Sequence, residues 1–299
     1  MKQSVQKDKK ALERYRKLVR QIQEQTEINL FETPEEQKAR IKRLLGNYEE
    51  FVEYYFPHYA SSKCASFHIK LANMVKRDPF IALLLAWARG LAKSTHCDIL
   101  IPLWLWCNGM LRVMLLVGQT EEKAKKLLGD LQAELEGNQR LKNDFGDQLG
   151  GGNWQEGNFI TANDCAFFAI GVGQSPRGTR YKQFRPDYII CDDLDTKQVC
   201  KNPKRVREYA NWICEDLIPC ADERGCRFID VNNVFAKLTI LTELRDTREG
   251  FKYWQQDATD AEFNPHWKEK YTKEFYLKLA KKIGMLSFQS EYNNKPYVE

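Results

Sequence analysis

The sequence predicts an α/β fold in which helices flank a mainly parallel sheet. Residues 80–88 are almost continuously apolar, as are residues 111–117 and 188–191. Short apolar runs without polar alternation are typical of strands buried on both faces, as strands are in parallel sheets. Helical patterns lie between these runs, and that alternation favours an α/β arrangement.

The composition fits a globular protein with a mild basic excess. Apolar residues make up 43% of the 299 residues, which is ample for a buried core in one large α/β domain or two small ones. Lys and Arg exceed Asp and Glu by 46 to 41, and a net charge of +5 allows a polyanionic partner without requiring one.

The cysteines and the apolar stretches exclude several other classes. The nine cysteines contain no C-x-x-C pair and the chain has only four histidines, which argues against a zinc site and a disulfide framework. The longest apolar stretches are interrupted by charge or proline and are too short to span a bilayer. Met1 begins a charged segment, which is unlike a signal peptide, so we expect a cytoplasmic protein.

Four helices are predicted before the first strand. Residues 2–27 combine many charges with a thin apolar stripe formed by Leu12, Tyr15, Leu18, Val19 and Ile22. This spacing predicts an amphipathic helix. We favour docking on a neighbouring element, and a basic arm for nucleic acid is the alternative. Thr33 followed by Pro34 and two glutamates marks the start of a second helix. The patterns at residues 47–55 and 67–76 predict two more.

The stretch from residue 80 to residue 95 carries the first chemical signal. Its apolar run leads through a short loop into Lys93, Ser94 and Thr95. The phosphate-loop pattern is G-x-x-x-x-G-K-[ST], and with Lys93 in register its two glycines correspond to Trp87 and Ala92. The match is imperfect, and an ordinary buried strand followed by a helix is the alternative. Where a strand turns into a helix, however, free N–H groups and the helix dipole favour an anion.

A carboxylate pair provides the second signal. Asp192 and Asp193 follow the apolar run at residues 188–191. Ligands of parallel α/β sheets bind outside the carboxyl ends of the strands, where the loop containing Lys93 also lies. One carboxylate can hold Mg²⁺ and its neighbour can orient the attacking water. A chance acidic turn is the alternative, but the loop and the pair together favour a nucleotide site.

The remaining patterns complete the predicted order of elements. Strands are expected at residues 111–117, 158–161, 165–171 and 237–243, and helices at residues 94–107, 118–135, 203–217 and 273–283. Residues 150–153 are predicted to be a flexible surface loop because three of the four are glycine.

The order of three segments resembles a known family. ARGLAKST, SPRGTRYKQFRPDYIICDDLD and LTILTEL look like the ATPase half of the large terminase subunit of tailed double-stranded DNA phages. The flanking NYEEFVEYYFPHY and FQSEYNNKP are also similar, so the resemblance covers roughly residues 40–296. The departures are Ala92 where glycine is expected and Asp193 where many relatives carry glutamate.

The resemblance implies the architecture of a P-loop NTPase of the ASCE type. A helical N-terminal extension would cover residues 1–60, the ATPase core residues 61–245, and a small C-terminal lid subdomain residues 246–299. In the family a metal-dependent nuclease domain follows, and we expect that domain and its activity to be absent from this chain.

The resemblance also implies a site for ATP and Mg²⁺. The residues expected around the phosphates are Arg89, Gly90, Leu91, Ala92, Lys93, Ser94 and Thr95. Lys93 would bridge the β- and γ-phosphates, and Ser94 and Asp192 would hold Mg²⁺. Asp193 would orient the attacking water.

Three arginines are candidates for stabilising charge on the transferred phosphoryl group. Arg177 is the first choice for a finger that reaches the ATP of the next subunit in a ring, and Arg180 is the second. Arg89, inside the phosphate loop, is the rival finger acting within its own subunit. An exposed loop with solvated charges is the alternative for Arg177 and Arg180.

Two further assignments depend largely on the resemblance. Thr242, at the end of the strand predicted at residues 237–243, would sense the γ-phosphate as part of the coupling motif. Tyr59, Phe67 and His68 are candidates to lie against the adenine ring, and an apolar contact between helices is an equal alternative.

We therefore expect the ATP-hydrolysing motor of a viral large terminase, which translocates double-stranded DNA into a procapsid in the cytoplasm of an infected bacterium. The expected partners are DNA, the portal protein, the small terminase subunit and other copies of the chain in a ring, expected to be a pentamer, although the isolated chain could be a monomer. The alternatives are another P-loop nucleic-acid motor of the helicase kind, or a nucleotide- or DNA-binding assembly protein with little turnover.

Overall fold

An eight-stranded sheet forms the centre of the protein in the computed structural model, which describes residues 2–150 and 152–296. In chain order the strands are β1 (Ala82–Trp87), β2 (Val113–Gly118), β3 (Trp154–Gln155), β4 (Asn158–Ile160), β5 (Ala166–Gly171), β6 (Tyr188–Asp192), β7 (Arg227–Asn232) and β8 (Lys252–Gln256). Their order across the sheet is β3-β4-β5-β2-β6-β7-β1-β8. Only the pairings β3–β4 and β4–β5 are antiparallel, so the predicted α/β fold with a mainly parallel sheet is confirmed.

Helices cover both faces of this sheet. They are α1 (Lys2–Gln25), α2 (Pro34–Gly46), α3 (Tyr48–Tyr55), α4 (Ser66–Arg77), α5 (Ile101–Cys107), α6 (Glu121–Gly137), α7 (Gln139–Phe145), α8 (Lys197–Cys200), α9 (Pro203–Trp212), α10 (Ile240–Thr247), α11 (Lys273–Ile283) and α12 (Met285–Asn293). A π-helical turn, Thr95–Leu100, precedes α5, and a second, Ile213–Leu217, follows α9. No described helix is long and apolar enough to cross a membrane.

Strand β1 is buried on both faces, as its apolar sequence predicts. Leu83, Leu85 and Trp87 pack into the larger core, which includes residues of α3, α4, α5 and α6. Leu84 and Ala86 point into the smaller core formed with α8, α9 and α10. Apolar side chains therefore surround β1 and hold in place the loop that follows it.

The amphipathic helix α1 docks on α6, as predicted. Val19 and Ile22 are buried against Ala133, and the Tyr15 hydroxyl donates a hydrogen bond to Glu136 at 2.6 Å. Helix α2 begins as predicted with Thr33 as its N-cap, in a reciprocal capping box with Glu36.

The prediction of a strand at residues 237–243 is wrong, because the helix α10 begins there. Thr239 is the N-cap of α10, and the side chain of Thr242 completes the capping box. The apolar residues Ile240, Leu241 and Leu244 lie on one helical face and pack into the smaller core. The strand that lies between β1 and β6 is instead β7.

The segment predicted as a lid, residues 246–299, contributes a strand to the sheet. Its first strand, β8, pairs in parallel with β1. Helices α11 and α12 follow, and α12 returns to the loop after β1, where the Arg89 N–H donates to the Glu291 carbonyl at 3.1 Å. A boundary at residue 245 therefore does not separate the sheet from the C-terminal segment.

Candidate nucleotide-binding site

The loop at residues 88–94, which we call the P-loop because its sequence approximates the phosphate-loop pattern, leaves the carboxyl end of β1 and leads into the π-helical turn. Gly90 has a φ of +83°. Among the residues that the structure describes, none accepts a hydrogen bond from the backbone N–H groups of Gly90, Leu91 or Ala92. Free N–H groups beside a helix start attract an anion. The loop thus has the backbone of a phosphate site.

Ala92 has a backbone conformation that favours glycine. Its φ is +55°, in the left-handed region. This conformation costs a residue with a Cβ atom about 1–2 kcal/mol. The position is the one at which the phosphate-loop pattern has its second glycine. The sequence therefore departs from the pattern in its side chain, while the backbone keeps the glycine-like turn.

The predicted residues from the P-loop and from β6 lie together. The Ser94 hydroxyl donates to the Asp192 carboxylate, with oxygen–oxygen distances of 2.9 and 3.1 Å. The Lys93 ammonium lies 3.1 Å from Asp193 Oδ1. Asp193 has a φ of +49°, which turns the chain sharply as it leaves β6. The ammonium of Lys93 and the hydroxyl of Ser94 thus contact the two carboxylates at the end of β6.

The electrostatics of Asp192 favour a cation beside it. Burial, and then the charge of the adjacent Asp193, raise the pKa of Asp192 to about 6. Lys93 and the Ser94 hydroxyl act in the opposite direction. A buried carboxylate with too little positive charge around it is stabilised in its ionised form when a cation binds.

Asp98 is a site residue that the sequence did not reveal. It lies in the π-helical turn, is 1% exposed, and neither of its oxygens meets an N–H or O–H donor among the described residues. Burial, and then the charge of Asp192, raise the pKa of Asp98 well above its usual range. A protonated Asp98 can donate to Asp192. A single Asp in a buried helical turn gave no signal in the sequence, because its neighbour Asp192 belongs to a distant segment, β6.

The donor set fits Mg²⁺. A serine hydroxyl and a carboxylate are hard oxygen ligands, and Ser94 and Asp192 are already within 2.9 Å of each other. The ion usually keeps several waters and takes few protein ligands, so two such groups suffice beside a nucleotide. Asp98 is buried, and when protonated it can donate a hydrogen bond that favours the ionised form of Asp192.

Two asparagines at the carboxyl end of β7 lie between the two halves of the candidate site, whereas Thr242 lies in the first turn of α10. Because β7 separates β1 from β6, its carboxyl end lies between the P-loop and Asp192. Asn232 is 2% exposed, and its Nδ2 has no hydrogen-bond acceptor in the described part of the chain. The Asn233 amide donates to Glu291 at 3.2 Å. Thr242 instead accepts the Thr239 N–H at 2.9 Å inside the helix cap.

Helix α12 ties the P-loop to this strand end. The Arg89 guanidinium, which is 63% exposed, lies 3.3 Å from the Glu291 carboxylate. The same carboxylate accepts from Asn233, and the Tyr271 hydroxyl donates to the Gly90 carbonyl at 2.9 Å. Arg89 is therefore held at the edge of its own P-loop by the C-terminal segment.

The structure does not bring Arg177 and Arg180 to the P-loop of the same chain. Both are exposed on the loop after β5. Strands β2, β6 and β7 separate β5 from β1 in the sheet. The Arg177 guanidinium lies 3.2 Å from Asp216. Both arginines are accessible to another molecule, and three strands separate their loop from the strand that leads to Lys93.

A cavity of about 210 Å³ opens beside the P-loop. Its lining includes Tyr59, Ser61, Thr95, Trp267 and Lys270. Of the aromatic candidates for the base, Tyr59 faces this cavity. The ring of Trp267 lies 4.5 Å from the Lys270 ammonium.

The other two candidates, Phe67 and His68, are part of the core. Phe67 packs edge-on against Trp87. His68 accepts the Ala65 N–H at 3.0 Å through Nδ1, so its Nε2 carries the proton and donates to the Leu91 carbonyl at 2.8 Å. His68 therefore fixes the P-loop backbone. The atoms of His68, Cys64 and His96 that could ligate a metal lie within 4.8 Å of one another. Both nitrogens of His68 are engaged in hydrogen bonds, so His68 offers no lone pair to a metal.

Similarity to known proteins was found among solved structures. No protein-family model matches the chain, and no curated protein matches it. Among solved structures the chain is similar to a mutant of the large terminase ATPase domain of Thermus phage P74-26. The TM-score is 0.49 and the identity 14%, over 77% of this chain and 94% of that chain.

Two further structures give similar values. A second structure of the Thermus phage ATPase domain has a TM-score of 0.44 and 15% identity, over 71% of this chain and 87% of that chain. The large terminase of bacteriophage HK97 has a TM-score of 0.48 and 10% identity, over 84% of this chain. The match spans 55% of the HK97 chain. These proteins are phage large terminases, the family that the sequence motifs resemble.

Proposed function

We propose that this chain is the ATP-hydrolysing motor domain of a viral DNA-packaging enzyme. The observation that carries the proposal is the meeting of Lys93 and Ser94 with Asp192 and Asp193 at 2.9–3.1 Å, across the carboxyl edge of the sheet. A phosphate cradle beside paired carboxylates is the arrangement that phosphoryl transfer requires, since catalysis there depends on positioning and charge.

Binding would use groups that are already in position. The N–H groups of residues 90–92 would hold the phosphates, and Lys93 would move from Asp193 to the β- and γ-phosphates. Thr95 begins the helical turn beside them. Tyr59 and the cavity of about 210 Å³ would receive the base.

Ser94 and Asp192 would hold Mg²⁺, and the ion when bound would neutralise charge on the phosphates. The chain's own part is to keep Asp192 ionised and oriented. The Ser94 hydroxyl lies within hydrogen-bond distance of both carboxylate oxygens, and a protonated Asp98 would donate a further hydrogen bond to this group.

Asp193 would orient and deprotonate the attacking water. Its carboxylate is paired with Lys93, and movement of Lys93 to the phosphates would free it. Asn232 and Asn233, between the two halves of the site, would respond to the γ-phosphate. We propose them for the coupling role in place of Thr242.

An arginine from a neighbouring copy would complete the site. Arg177 and Arg180 are exposed and lie across the sheet from their own P-loop. Copies arranged in a ring, as in a pentamer, would bring this loop to the next subunit's ATP. Arg89 is the rival within the same chain, and its pairing with Glu291 would have to open first.

The proposed setting is virus assembly in the cytoplasm of an infected bacterium. Double-stranded DNA would be the moved substrate, and the portal protein and small terminase subunit the other partners. These finer statements follow from the motif resemblance. A helicase would share the site, and a duplex-unwinding assay separates the two, since a packaging motor moves an intact duplex.

The decisive experiment is ATP hydrolysis measured over a range of protein concentrations. We expect turnover per molecule to rise with concentration, to vanish in Lys93→Ala, and to fall in Arg177→Ala by about 10³-fold, as for an arginine finger. Arg180→Ala is the matched control, and a larger fall there would reassign the finger. A wild-type chain no faster than Lys93→Ala at any concentration would refute the proposal.

Mixing the two inactive variants tests the action between copies. Lys93→Ala retains Arg177, and Arg177→Ala retains a complete P-loop. If the finger acts on a neighbour, the mixture hydrolyses ATP although neither variant does so alone. If Arg177 acts within its own chain, the mixture stays inactive.

A further inference from the structure

Helices α8 and α9 and the turn between them carry a cluster of cations that follows Asp192 and Asp193 in the sequence. The members are Lys197, Lys201, Lys204, Arg205 and Arg207, and all five are exposed. Residues 196–207 contain no Asp or Glu. We call these five side chains the α8–α9 basic surface. Its charge equals the formal net charge of +5 of the whole chain.

Packing and ion pairs do not explain this surface. Within the described ranges, Lys197, Lys201 and Arg205 form no ion pair. Lys204 lies 3.9 Å from Glu208 and Arg207 lies 3.9 Å from Glu243. Both cations are exposed, and pairs of that length at the surface contribute little stability. Helices α8 and α9 have no acidic residue in their first turns, where cations oppose the helix dipole.

The basic surface is connected to the carboxylates of the site. The chain passes from Asp193 through Asp195 to Thr196, whose side chain caps α8. Asp195 is buried and accepts the backbone N–H of Ile240, the first residue of α10, at 2.6 Å. Helix α10 packs against α9 in the smaller core. A shift of the segment after Asp193 would therefore move α8, and with it the cations.

The chemistry of the surface fits a polyanion better than a protein. A protein interface usually has an apolar centre with aromatic residues. Among described residues, none of the large exposed apolar side chains lies between residues 150 and 274. Long lysine and arginine side chains of one sign, fully solvated, are typical of contacts with phosphate backbones.

We infer that the α8–α9 basic surface contacts the phosphate backbone of the DNA duplex. The inference rests on the proposed function and adds the surface that grips the substrate. Contacts of this kind carry no sequence information, so binding is independent of sequence and weakens with salt. Because the surface continues from Asp192 and Asp193, changes at the nucleotide alter the grip on DNA.

The test compares two triple variants that remove the same charge. One is Lys197→Gln, Lys201→Gln and Arg205→Gln. The control is Arg16→Gln, Lys17→Gln and Arg20→Gln on the exposed face of α1, the alternative basic arm. Binding is measured with a fluorescein-labelled duplex of about 30 base pairs, at salt concentrations between about 50 and 200 mM.

We expect the α8–α9 variant to bind the duplex roughly 10- to 100-fold more weakly, with the salt slope reduced by about 3, one for each lost phosphate contact. The α1 variant should bind like the wild type. Equal binding by the α8–α9 variant and the wild type overturns the inference, as does a loss confined to the α1 variant. A change in self-association with unaltered DNA binding assigns the surface to contacts between copies and also overturns it.

Nucleotide hydrolysis without DNA separates this inference from the proposed function. The α8–α9 variant should hydrolyse ATP at the wild-type rate when DNA is absent, because none of the three residues touches the site. A wild-type chain that hydrolyses ATP and binds DNA, with no change in the variant, leaves the motor proposal standing and removes the DNA surface. A wild-type chain that hydrolyses ATP but binds no duplex overturns both.

Discussion

The hydroxyl of Ser94 lies 2.9 Å from the carboxylate of Asp192, although 98 residues separate them in the sequence. One residue follows β1 and the other ends β6, and β7 lies between these strands. The contact joins the phosphate cradle to the carboxylate pair. Both halves of the candidate site are thus pre-organised by the sheet.

Asp193→Asn should stop hydrolysis and preserve binding. We expect turnover to fall at least about 100-fold, the usual contribution of a general base. ATP affinity should stay the same or increase, because Lys93 loses its competing partner. Turnover and the affinity for a fluorescent ATP analogue are the two measurements.

The matched control is Asp147→Asn. Asp147 forms a similar exposed pair with Lys142 at 3.4 Å, away from the strand ends that form the site. Its turnover should equal that of the wild type. If Asp193→Asn hydrolyses ATP normally, another group is the base.

Ala92→Gly should stabilise the protein. Glycine removes the strain of the left-handed φ of +55°, about 1–2 kcal/mol, and part of this is offset by the greater freedom of glycine in the unfolded chain. We expect a net gain of about 0.5 kcal/mol in the free energy of unfolding. Ala11→Gly, at an exposed position of α1, should lose about 1 kcal/mol. Urea unfolding distinguishes the two, and equal losses would contradict the strain argument.

Asn232→Ala and Thr242→Ala separate the structural assignment from the one made on sequence. Asn232→Ala should reduce turnover while the fold remains intact. Thr242→Ala breaks the capping box of α10 and should lower the free energy of unfolding by about 1 kcal/mol, with turnover unchanged per folded molecule. A loss of turnover in Thr242→Ala alone would return the coupling role to Thr242.

Asp195→Asn should change how stability depends on pH. Burial raises the pKa of Asp195 to about 6, above the usual value of about 3.9. Between these values the folded protein holds a proton that the unfolded chain has released, so stability falls as pH rises. The variant has no carboxyl group to titrate at this position. Across this pH range its free energy of unfolding should therefore increase by up to about 2–3 kcal/mol relative to that of the wild type. Urea unfolding at both ends of the window measures it.

Asp222→Asn is the control with the opposite sign. Hydrogen bonds from Arg224 lower the pKa of Asp222. This group stabilises the folded protein above its unfolded pKa, and the contribution is lost as the pH falls. Asp222→Asn should therefore be less stable than the wild type at neutral pH, and the difference should disappear in acid. The same slope for both variants would contradict the assignment.

The sequence indicates which two segments meet at the candidate site, but it does not reveal every residue that the structure places there. Lys93, Ser94, Asp192 and Asp193 each follow an apolar run, and parallel strands bring the ends of such runs together. Asp98 could not be identified, because its significance depends on burial and on a partner 94 positions away. Asn232 and Asn233 were missed with β7, whose run is short and mixed with charge.

The error at Thr242 has a similar origin. A run of alternating threonine and aliphatic residues suits both a strand and the first turns of a helix. The capping box at Thr239 decides for the helix, and Ile240 and Leu244 then share one buried face. Periodicity over seven residues could not decide between the two.

The position of β1 in the sheet has a consequence for synthesis of the chain. Its two neighbours, β7 and β8, both come from the last quarter of the sequence. A ribosome therefore produces the P-loop early, yet the strand that carries it stays unpaired until residues 227–256 have emerged. Long-range pairing of this kind is slow and leaves an apolar strand exposed to aggregation. The candidate nucleotide site can therefore form only after residues 227–256 have been synthesised, because the strand that leads into its loop pairs with β7 and β8.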